Sequence, residues 1–279
     1  MVSGSLKLGL IGYPLGHSWS PEIHKYLIHA DYELWPLRQE ELDEFLRKRD
    51  FEGINVTIPY KQAVIPYLDQ IDPDAEKIGA VNTIVNRDGK LYGYNTDYEG
   101  LMGMLKENNI EIEGRHVAIL GSGGASRACI CAVQKSGGTY DIVSRMKKEG
   151  CITYEQMYER ESSYNVLINA TPVGMYPDCD GVPADLNRFT NLESVVDIIA
   201  NPLRTRLQFE AKLKGLSYCG GFEMLVRQAY AADYYFTGKY PDPTLVYSCM
   251  EQLYRIAITT REYFEVVGVS NAGYFFETA

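Results

Sequence analysis

The sequence contains no long hydrophobic run. No apolar stretch approaches the roughly 20 residues that a membrane-spanning helix requires, and residues 1–20 are interrupted by four glycines and a proline. We therefore expect neither a membrane span nor a secretory signal, and we expect a cytoplasmic location.

Cysteine and histidine are scarce. The 279 residues include six cysteines without a C-x-x-C pair and four histidines without paired spacing. Six cysteines over this length are too few for a disulfide scaffold, and a zinc site needs paired Cys or His spacings. We expect free thiols and no bound metal.

Basic residues are outnumbered, with 27 Lys and Arg against 37 Asp and Glu, which gives a formal net charge of -10. Such a charge repels phosphate backbones and anionic lipids, so neither nucleic acid nor a membrane surface is an expected partner. What the chain does have is 46% hydrophobic residues. This content over this length supports one large or two ordinary domains.

Strand-like and helix-like segments alternate through the first hundred residues. Ser20-Pro21 reads as a helix N-cap followed by proline at the first helical position. Asp88-Gly89 is a hairpin signal between two strands. Strands are predicted at 6–11, 32–37, 53–57, 81–86 and 91–94, with helices at 20–30, at 39–49 and from Thr96 onward.

The pattern restarts near residue 114 with strands that are apolar without alternation, which is typical of parallel sheets covered on both faces. They are predicted at 117–120, 141–143, 166–168 and 195–199, with helices to about residue 134 and at 154–160. The fold class is therefore α/β: an N-terminal domain (1–100), a doubly wound Rossmann-type domain (101–221), and C-terminal helices (222–279) returning to the first.

A glycine-rich turn at 121–126 directly follows the strand at 117–120 and opens a helix. Gly121 permits the tight turn, Gly123 lets the backbone approach a pyrophosphate, and Ser126 stands where a third glycine is usual. This context favours dinucleotide binding, although a structural turn is also compatible with it.

Two sets of residues compete to decide between NAD and NADP. Asp141 lies 20 residues beyond Gly121, the usual spacing of a carboxylate that binds ribose hydroxyls. The next strand, however, ends at Ser144-Arg145 and is followed by Lys147 and Lys148. These cations favour a 2′-phosphate, with a solvated charge run as the alternative.

Polar side chains also collect where strands of the first domain end, at 17–20, 55–61, 79–82 and 93–97. Sites in α/β proteins are built at such ends. Taken singly, Lys61 is compatible with a surface lysine and Asp97 with a carboxylate at a helix N-terminus.

Eight segments resemble motifs of the shikimate dehydrogenase family and occur in the same order as in that family. They lie at 12–14, 17–21, 55–61, 79–83, 95–97, 123–127, 169–175 and 224–229. The resemblance implies reduction of the C3 carbonyl of 3-dehydroshikimate by NADPH, in the pathway to aromatic amino acids. The resemblance implies that Lys61 and Asp97 are the catalytic pair. The reaction suits such a pair, since a lysine ammonium can stabilise and protonate a developing alkoxide while a carboxylate orients the ammonium.

The resemblance also assigns the binding residues. Ser18 and Ser20 match contacts to the substrate carboxylate, and contacts to substrate hydroxyls match Thr57, Asn82 and Gln228. The cofactor contacts match Gly121, Gly123, Gly124, Ala125, Ser126, Ser144, Arg145, Thr171, Met175 and Gly221.

Three features depart from the family pattern. Ala200 replaces a tyrosine that reaches toward the substrate carboxylate, Ser144-Arg145-Met146 replaces Asn-Arg-Thr, and residues 256–279 form an aromatic-rich extension. They leave open a quinate/shikimate dehydrogenase with relaxed substrate or cofactor choice. A noncatalytic ligand sensor is disfavoured because Lys61 and Asp97 are both present. Both a monomer and a homodimer are compatible with the sequence.

Overall fold

The computed structural model describes residues 6–16 and 18–259. His17 and residues 260–279 of the aromatic-rich extension lie outside the described residues. Within them, the strands form two separate sheets, one built from residues 8–94 and the other from residues 116–220.

The first sheet has the strand order β2-β1-β3-β5-β6-β4. Its strands are β1 (Leu8–Gly12), β2 (Tyr32–Pro36), β3 (Gly53–Val56), β4 (Gln70–Ile71), β5 (Thr83–Arg87) and β6 (Lys90–Tyr94). β1 pairs in parallel with β2 and β3, whereas β5 is antiparallel to β3 and β6. The ends of β3 and β6 and the start of β5 therefore share one edge.

Four helices accompany this sheet: α1 (Ser20–Ile28), α2 (Leu42–Lys48), α3 (Pro73–Ile78) and α4 (Thr96–Glu107). α1 begins at Ser20, so that Trp19, and not the predicted Ser20, is at the N-cap position and Pro21 is the second helical residue. The Ser20 hydroxyl instead accepts a hydrogen bond from that of Ser18.

The second sheet is parallel throughout, with the order β11-β10-β9-β7-β8. Its strands are β7 (His116–Leu120), β8 (Thr139–Val143), β9 (Val166–Asn169), β10 (Ser194–Asp197) and β11 (Ser217–Gly220). The helices between them are α5 (Gly124–Lys135), α6 (Tyr154–Glu159) and α7 (Arg206–Leu213). The predicted α/β class with a Rossmann-type sheet is confirmed.

Two C-terminal helices, α8 (Gly221–Thr237) and α9 (Thr244–Thr259), pack on α1 beside the first sheet. Their shared core includes Ile23, Leu27, Val226, Val246 and Leu253. No helix in the described ranges combines the length and apolarity needed to cross a membrane.

α4 and α8 cross closely at Gly100. A Cβ atom there would lie 2.8 Å from both Gln228 N and Met224 O, which are backbone atoms of α8. We expect Gly100→Ala to lower the free energy of unfolding by about 1 to 3 kcal/mol through this clash. In the matched control Gly103→Ala, the new Cβ would meet only the flexible Arg227 side chain, at 3.3 Å. Thermal denaturation distinguishes them, and equal melting temperatures for the two variants would contradict the close crossing.

Candidate active site

Backbone hydrogen bonds bring three polar segments together at one edge of the first sheet. Val56 N donates to Asn82 O at 2.8 Å, and Asn82 N donates to Tyr94 O at 3.1 Å. Val81 N donates to Lys61 O at 2.7 Å. The segments at 55–61, 79–83 and 93–97 therefore form one cluster, as expected for residues at adjacent strand ends.

Lys61 and Asp97 form an ion pair in this cluster. Lys61 Nζ lies 2.5 Å from Asp97 Oδ2, and the two side chains are 32% and 23% exposed. Asp97 lies in the first turn of α4, where the positive end of the helix dipole stabilises a carboxylate. The ammonium is thus fixed by a carboxylate and still accessible to a ligand.

The turn that carries Lys61 is anchored in the core. Tyr60 N donates to Thr57 O at 2.9 Å, and the buried Tyr60 side chain donates its hydroxyl hydrogen to Leu37 O at 2.6 Å. Thr57 N in turn donates to Ile11 O in β1 at 2.9 Å. This anchoring places the half-buried Thr57 side chain beside the end of β1.

Two buried amides meet at Thr96. Asn82 Oδ1 accepts from Thr96 N at 2.7 Å, and Gln228 Oε1 accepts from Thr96 Oγ1 at 3.3 Å. The Asn82 amide nitrogen has no hydrogen-bond partner among the residues described. Its N–H groups are therefore available to a hydroxyl of a bound ligand.

The serines after β1 are paired with each other. Ser18 Oγ lies 3.2 Å from both Ser20 Oγ and Ser20 N. This pair stands at the start of α1, where hydroxyl and backbone donors suit a carboxylate. The structure thus brings together Ser18 with Ser20, Lys61 with Asp97, and Asn82 with Gln228.

The glycine-rich turn lies at the carboxyl end of β7, at the start of α5. Gly121 has φ +104, and a Cβ there would lie 2.8 Å from Ala170 O, so only glycine fits without strain. Around Gly123 and Gly124 there is nothing within 4 Å of a built Cβ. Ser126 is buried and donates to Gly123 O at 2.7 Å, which locks the turn. This open helix N-terminus fits a pyrophosphate.

The end of β8 presents cations to that turn, whereas the competing carboxylate is occupied. Asp141 Oδ2 accepts from Tyr164 OH at 2.6 Å and lies 3.2 Å from His116 Nε2. The exposed Arg145 has no hydrogen bond or ion pair in the described ranges, and Lys148 Nζ donates to Ser122 O at 3.3 Å. The geometry favours a ligand phosphate at Arg145.

The loop after β9 is organised by a buried asparagine. Asn169 Oδ1 accepts from Thr171 N at 3.0 Å and from Thr171 Oγ1 at 2.7 Å. Asn169 Nδ2 donates to Val173 O and, at 3.1 Å, to Asp197 Oδ1. Met175, at the end of this loop, is 45% exposed. Asp197 thereby supports the loop that carries the predicted cofactor contacts Thr171 and Met175.

Burial raises the pKa of Asp197 to about 6, although donors from Thr205, Ile199 and Asn169 oppose the shift. Between its ordinary value of 3.8 and about 6, the unfolded chain has lost this proton while the folded chain retains it. Raising the pH through this window therefore favours the unfolded state.

The free energy of unfolding of the wild type, relative to that of Asp197→Asn, is expected to fall by about 2.4 kcal/mol between pH 4 and pH 7. Taking the difference between the two proteins cancels the carboxylates that they share. Urea denaturation at unit pH intervals measures it. A difference that stays constant across this range would refute the raised pKa.

Gly221 begins α8 directly after β11. A Cβ there would lie 2.2 Å from Ile198 O and 2.5 Å from Ile199 C, so the helix approaches the end of β10 too closely for any side chain. The lack of space for a side chain explains why glycine occupies position 221. This position also lies at the same edge of the second sheet as the glycine-rich turn.

Three polar residues of the cluster were given no role from the sequence. Asn55, Thr83 and Thr96 are buried and connect Asn82 and Gln228 to the interior. A signal existed for Asn55, because an asparagine inside an apolar strand needs internal hydrogen-bond partners. No group of three or more metal-ligating side chains occurs in the ranges 6–16 and 18–259.

The parallel sheet with its glycine-rich turn, beside a sheet carrying a Lys–Asp pair, defines a dinucleotide-dependent oxidoreductase of two α/β units. The family model described as the shikimate dehydrogenase substrate binding domain matches residues 10–84. The shikimate dehydrogenase (NADP(+)) of Clostridium beijerinckii is 42% identical in an alignment of 243 positions that covers 81% of this chain and 89% of that protein. The chain belongs to the shikimate dehydrogenase family.

Solved structures agree with this assignment. The shikimate 5-dehydrogenase of Thermus thermophilus in complex with NADP(H) and shikimate has a TM-score of 0.80 and 32% identity, and the match covers 88% of this chain and 99% of that one. The enzyme of Listeria monocytogenes in complex with shikimate and NAD has a TM-score of 0.77 and 30% identity, covering 90% and 98%.

Proposed function

We propose that this chain catalyses the NADP-dependent, reversible reduction of 3-dehydroshikimate to shikimate in aromatic amino acid biosynthesis. The observation that carries the proposal is the accessible ion pair between Lys61 and Asp97, 2.5 Å apart. It lies at the sheet edge that also holds the buried Asn82 amide. Family membership supplies the substrate and the cofactor.

In the proposed mechanism, NADPH bound at the glycine-rich turn supplies the hydride to C3. The Lys61 ammonium hydrogen-bonds the C3 oxygen, stabilises the negative charge that develops there, and gives it a proton. Asp97 holds the ammonium in place through Oδ2, and its carboxylate also accepts from the neighbouring C4 hydroxyl. In shikimate oxidation the proton returns to Lys61.

The polar residues around the pair account for binding of a small polyhydroxylated acid. Such a ligand has little apolar surface to bury, so each of its groups needs a placed hydrogen-bond partner. We assign its hydroxyls to Thr57, Asn82 and Gln228. We assign its carboxylate to Ser18 and Ser20, whose hydroxyls lie 3.2 Å apart.

For the cofactor, we propose that residues 121–126 and 144–145 hold its phosphates, and that Thr171, Met175 and Gly221 line the nicotinamide site. We also propose a division into domains 1–100 and 101–221, with 222–279 completing the first. The two separate sheets and the packing of α8 and α9 on α1 support this division. The cytoplasmic location and the monomeric or homodimeric state stay predictions.

A second candidate is a quinate/shikimate dehydrogenase with relaxed cofactor choice. Ala200 favours it, because an alanine stands where the family has a tyrosine, and a smaller side chain there is compatible with a bulkier acid. The complex of the Listeria monocytogenes enzyme with shikimate and NAD also favours relaxed cofactor choice. The sensor alternative has no support from the Lys–Asp pair, since binding alone does not need an acid-base group.

Initial rates with shikimate and with quinate, each with NADP⁺ and with NAD⁺, test these candidates. The proposal predicts the highest kcat/KM for shikimate with NADP⁺. Comparable values for quinate, or for NAD⁺, would favour the relaxed enzyme. Absence of turnover with all four pairs would overturn both enzyme assignments.

A further inference from the structure

A buried His–Asp pair is connected by hydrogen bonds to the proposed substrate-binding residues, and the mechanism proposed above does not use this pair. His24 Nδ1 is 2.6 Å from Asp233 Oδ1, and both side chains are fully buried. His24 belongs to α1 and Asp233 to α8, five residues beyond Gln228. The His24 ring stacks on Tyr32 with centroids 4.2 Å apart.

The pair continues into a chain of buried hydrogen bonds toward the site. His24 Nε2 lies 3.1 Å from Asn55 Oδ1, which also accepts from Tyr32 OH at 2.7 Å. Asn55 Nδ2 donates to Thr83 Oγ1 at 3.0 Å and to Asn82 O at 3.3 Å. Thr83 Oγ1 lies 3.1 Å from Asn82 Oδ1.

The partners fix the hydrogen positions along this chain. Asn82 O is a backbone carbonyl and only accepts, so the nitrogen of the Asn55 amide must face it. Asn55 Oδ1 then faces His24, and His24 Nε2 must carry a hydrogen. A second hydrogen occupies the 2.6 Å contact between His24 Nδ1 and Asp233 Oδ1.

This arrangement is a poor source of stability. Asp233 Oδ2 is buried without a hydrogen-bond partner among the described residues. Burial raises the pKa of Asp233, although the contact with His24 opposes the shift. Apolar residues of similar volume often serve stability as well as a buried ion pair does. What the pair contributes is a fixed donor on His24 Nε2.

We propose that Asp233 and His24 are positioning residues for substrate binding, which act through Asn55 and Thr83 to hold the Asn82 amide nitrogen toward the substrate. The inference rests on the proposed function. If Asn55 rotated its amide, its oxygen would face the Asn82 carbonyl and would compete for the Thr83 hydroxyl that donates to Asn82 Oδ1. Asn82 would then be held only by its hydrogen bonds from Val56 N and from Thr96. Lys61 and Asp97 have no contact with this chain in the hydrogen bonds described, so the chemical step is separate.

The double variant His24→Phe/Asp233→Leu tests this inference, because it replaces the pair by apolar side chains and leaves no unpaired charge. We expect KM for shikimate to rise about 3- to 10-fold, as for one lost hydrogen bond. We expect kcat and KM for NADP⁺ to change by less than about twofold. Added to Asn82→Ala, the double variant should raise KM no further, since residues acting through one group are not additive.

Asp233→Asn is the conservative rescue. Its amide can donate to His24 Nδ1 and keep the hydrogen on Nε2, so KM for shikimate should return to within about twofold of the wild type.

Leu253→Ala controls for lost packing, because this buried residue of α9 lies outside the polar chain. It should lower the melting temperature without raising KM. If the double variant does not fold, Tyr32→Phe, which removes the other donor to Asn55, should raise KM in the same way.

Two results would overturn the inference: an unchanged KM for shikimate in the folded variants, or a rise that adds fully to that of Asn82→Ala. Failure of the proposed function is a different observation. In that case the wild type itself would not oxidise shikimate.

Discussion

Replacing Lys61 by alanine is expected to lower kcat for shikimate oxidation by about 10²- to 10⁴-fold, the usual contribution of a positioned acid-base group. KM for NADP⁺ should change little, since Lys61 lies in the turn after β3 of the first sheet, whereas the proposed cofactor residues lie at the second sheet. The reason for the loss is that, among the residues the structure describes, Lys61 supplies the ammonium group that is paired with Asp97, at 2.5 Å. Steady-state rates measure it.

Lys135 offers a matched control for this substitution. Its Nζ lies 2.6 Å from Asp74 Oδ2, and this second Lys–Asp pair is exposed to a similar degree, at 40% and 34%. Because exposed ion pairs contribute little to stability, Lys135→Ala should leave both folding and kcat close to wild type. An equal loss of kcat in the two variants, or kcat within about threefold of wild type for Lys61→Ala, would remove Lys61 from the mechanism.

Replacing Arg145 by alanine is expected to raise KM for NADP⁺ by about 10- to 100-fold and to leave KM for NAD⁺ nearly unchanged. A charge-assisted hydrogen bond to the 2′-phosphate contributes about 1.5 to 3 kcal/mol, and NAD⁺ lacks that group. Initial rates over a range of each cofactor measure the effect.

Lys148→Ala is the companion variant, because its ammonium contacts Ser122 in the glycine-rich turn and not the end of β8. Its effect is expected to be smaller than that of Arg145→Ala. Equal losses with NADP⁺ and NAD⁺ in Arg145→Ala would show that this residue contacts a group common to both cofactors. The assignment of the 2′-phosphate to Arg145 would then be wrong.

Sequence patterns located the strands that are buried on both faces and also the edge strands β2 and β8, but they missed the other two edge strands, β4 and β11. The apolar run at 117–120 became β7, whose strand residues Val117 to Leu120 are fully buried. β11 is short and polar, and it pairs only with β10. β4 has two residues. Such strands are stabilised by tertiary contacts that leave no local pattern.

The same limit applies to the site. Lys61, Asn82 and Asp97 belong to short motifs at strand ends, and motifs of this kind can be read locally. His24 and Asp233 are separated by 209 residues. Nothing in either neighbourhood indicates that they pair, because the contact arises only when α8 packs on α1. Hydrogen-bond partners that are distant in the chain could therefore be identified only from the structure.

The central claim, hydride transfer from NADPH to C3 of 3-dehydroshikimate at the Lys61–Asp97 site, is tested most directly by isotope transfer. The purified wild type would be given 3-dehydroshikimate and NADPH carrying two deuterium atoms at C4 of the nicotinamide, and the product would be analysed by mass spectrometry and NMR. The account predicts shikimate with one deuterium, located at C3, and almost none in Lys61→Ala over the same time. Shikimate without deuterium at C3, or no shikimate from the wild type, would contradict it.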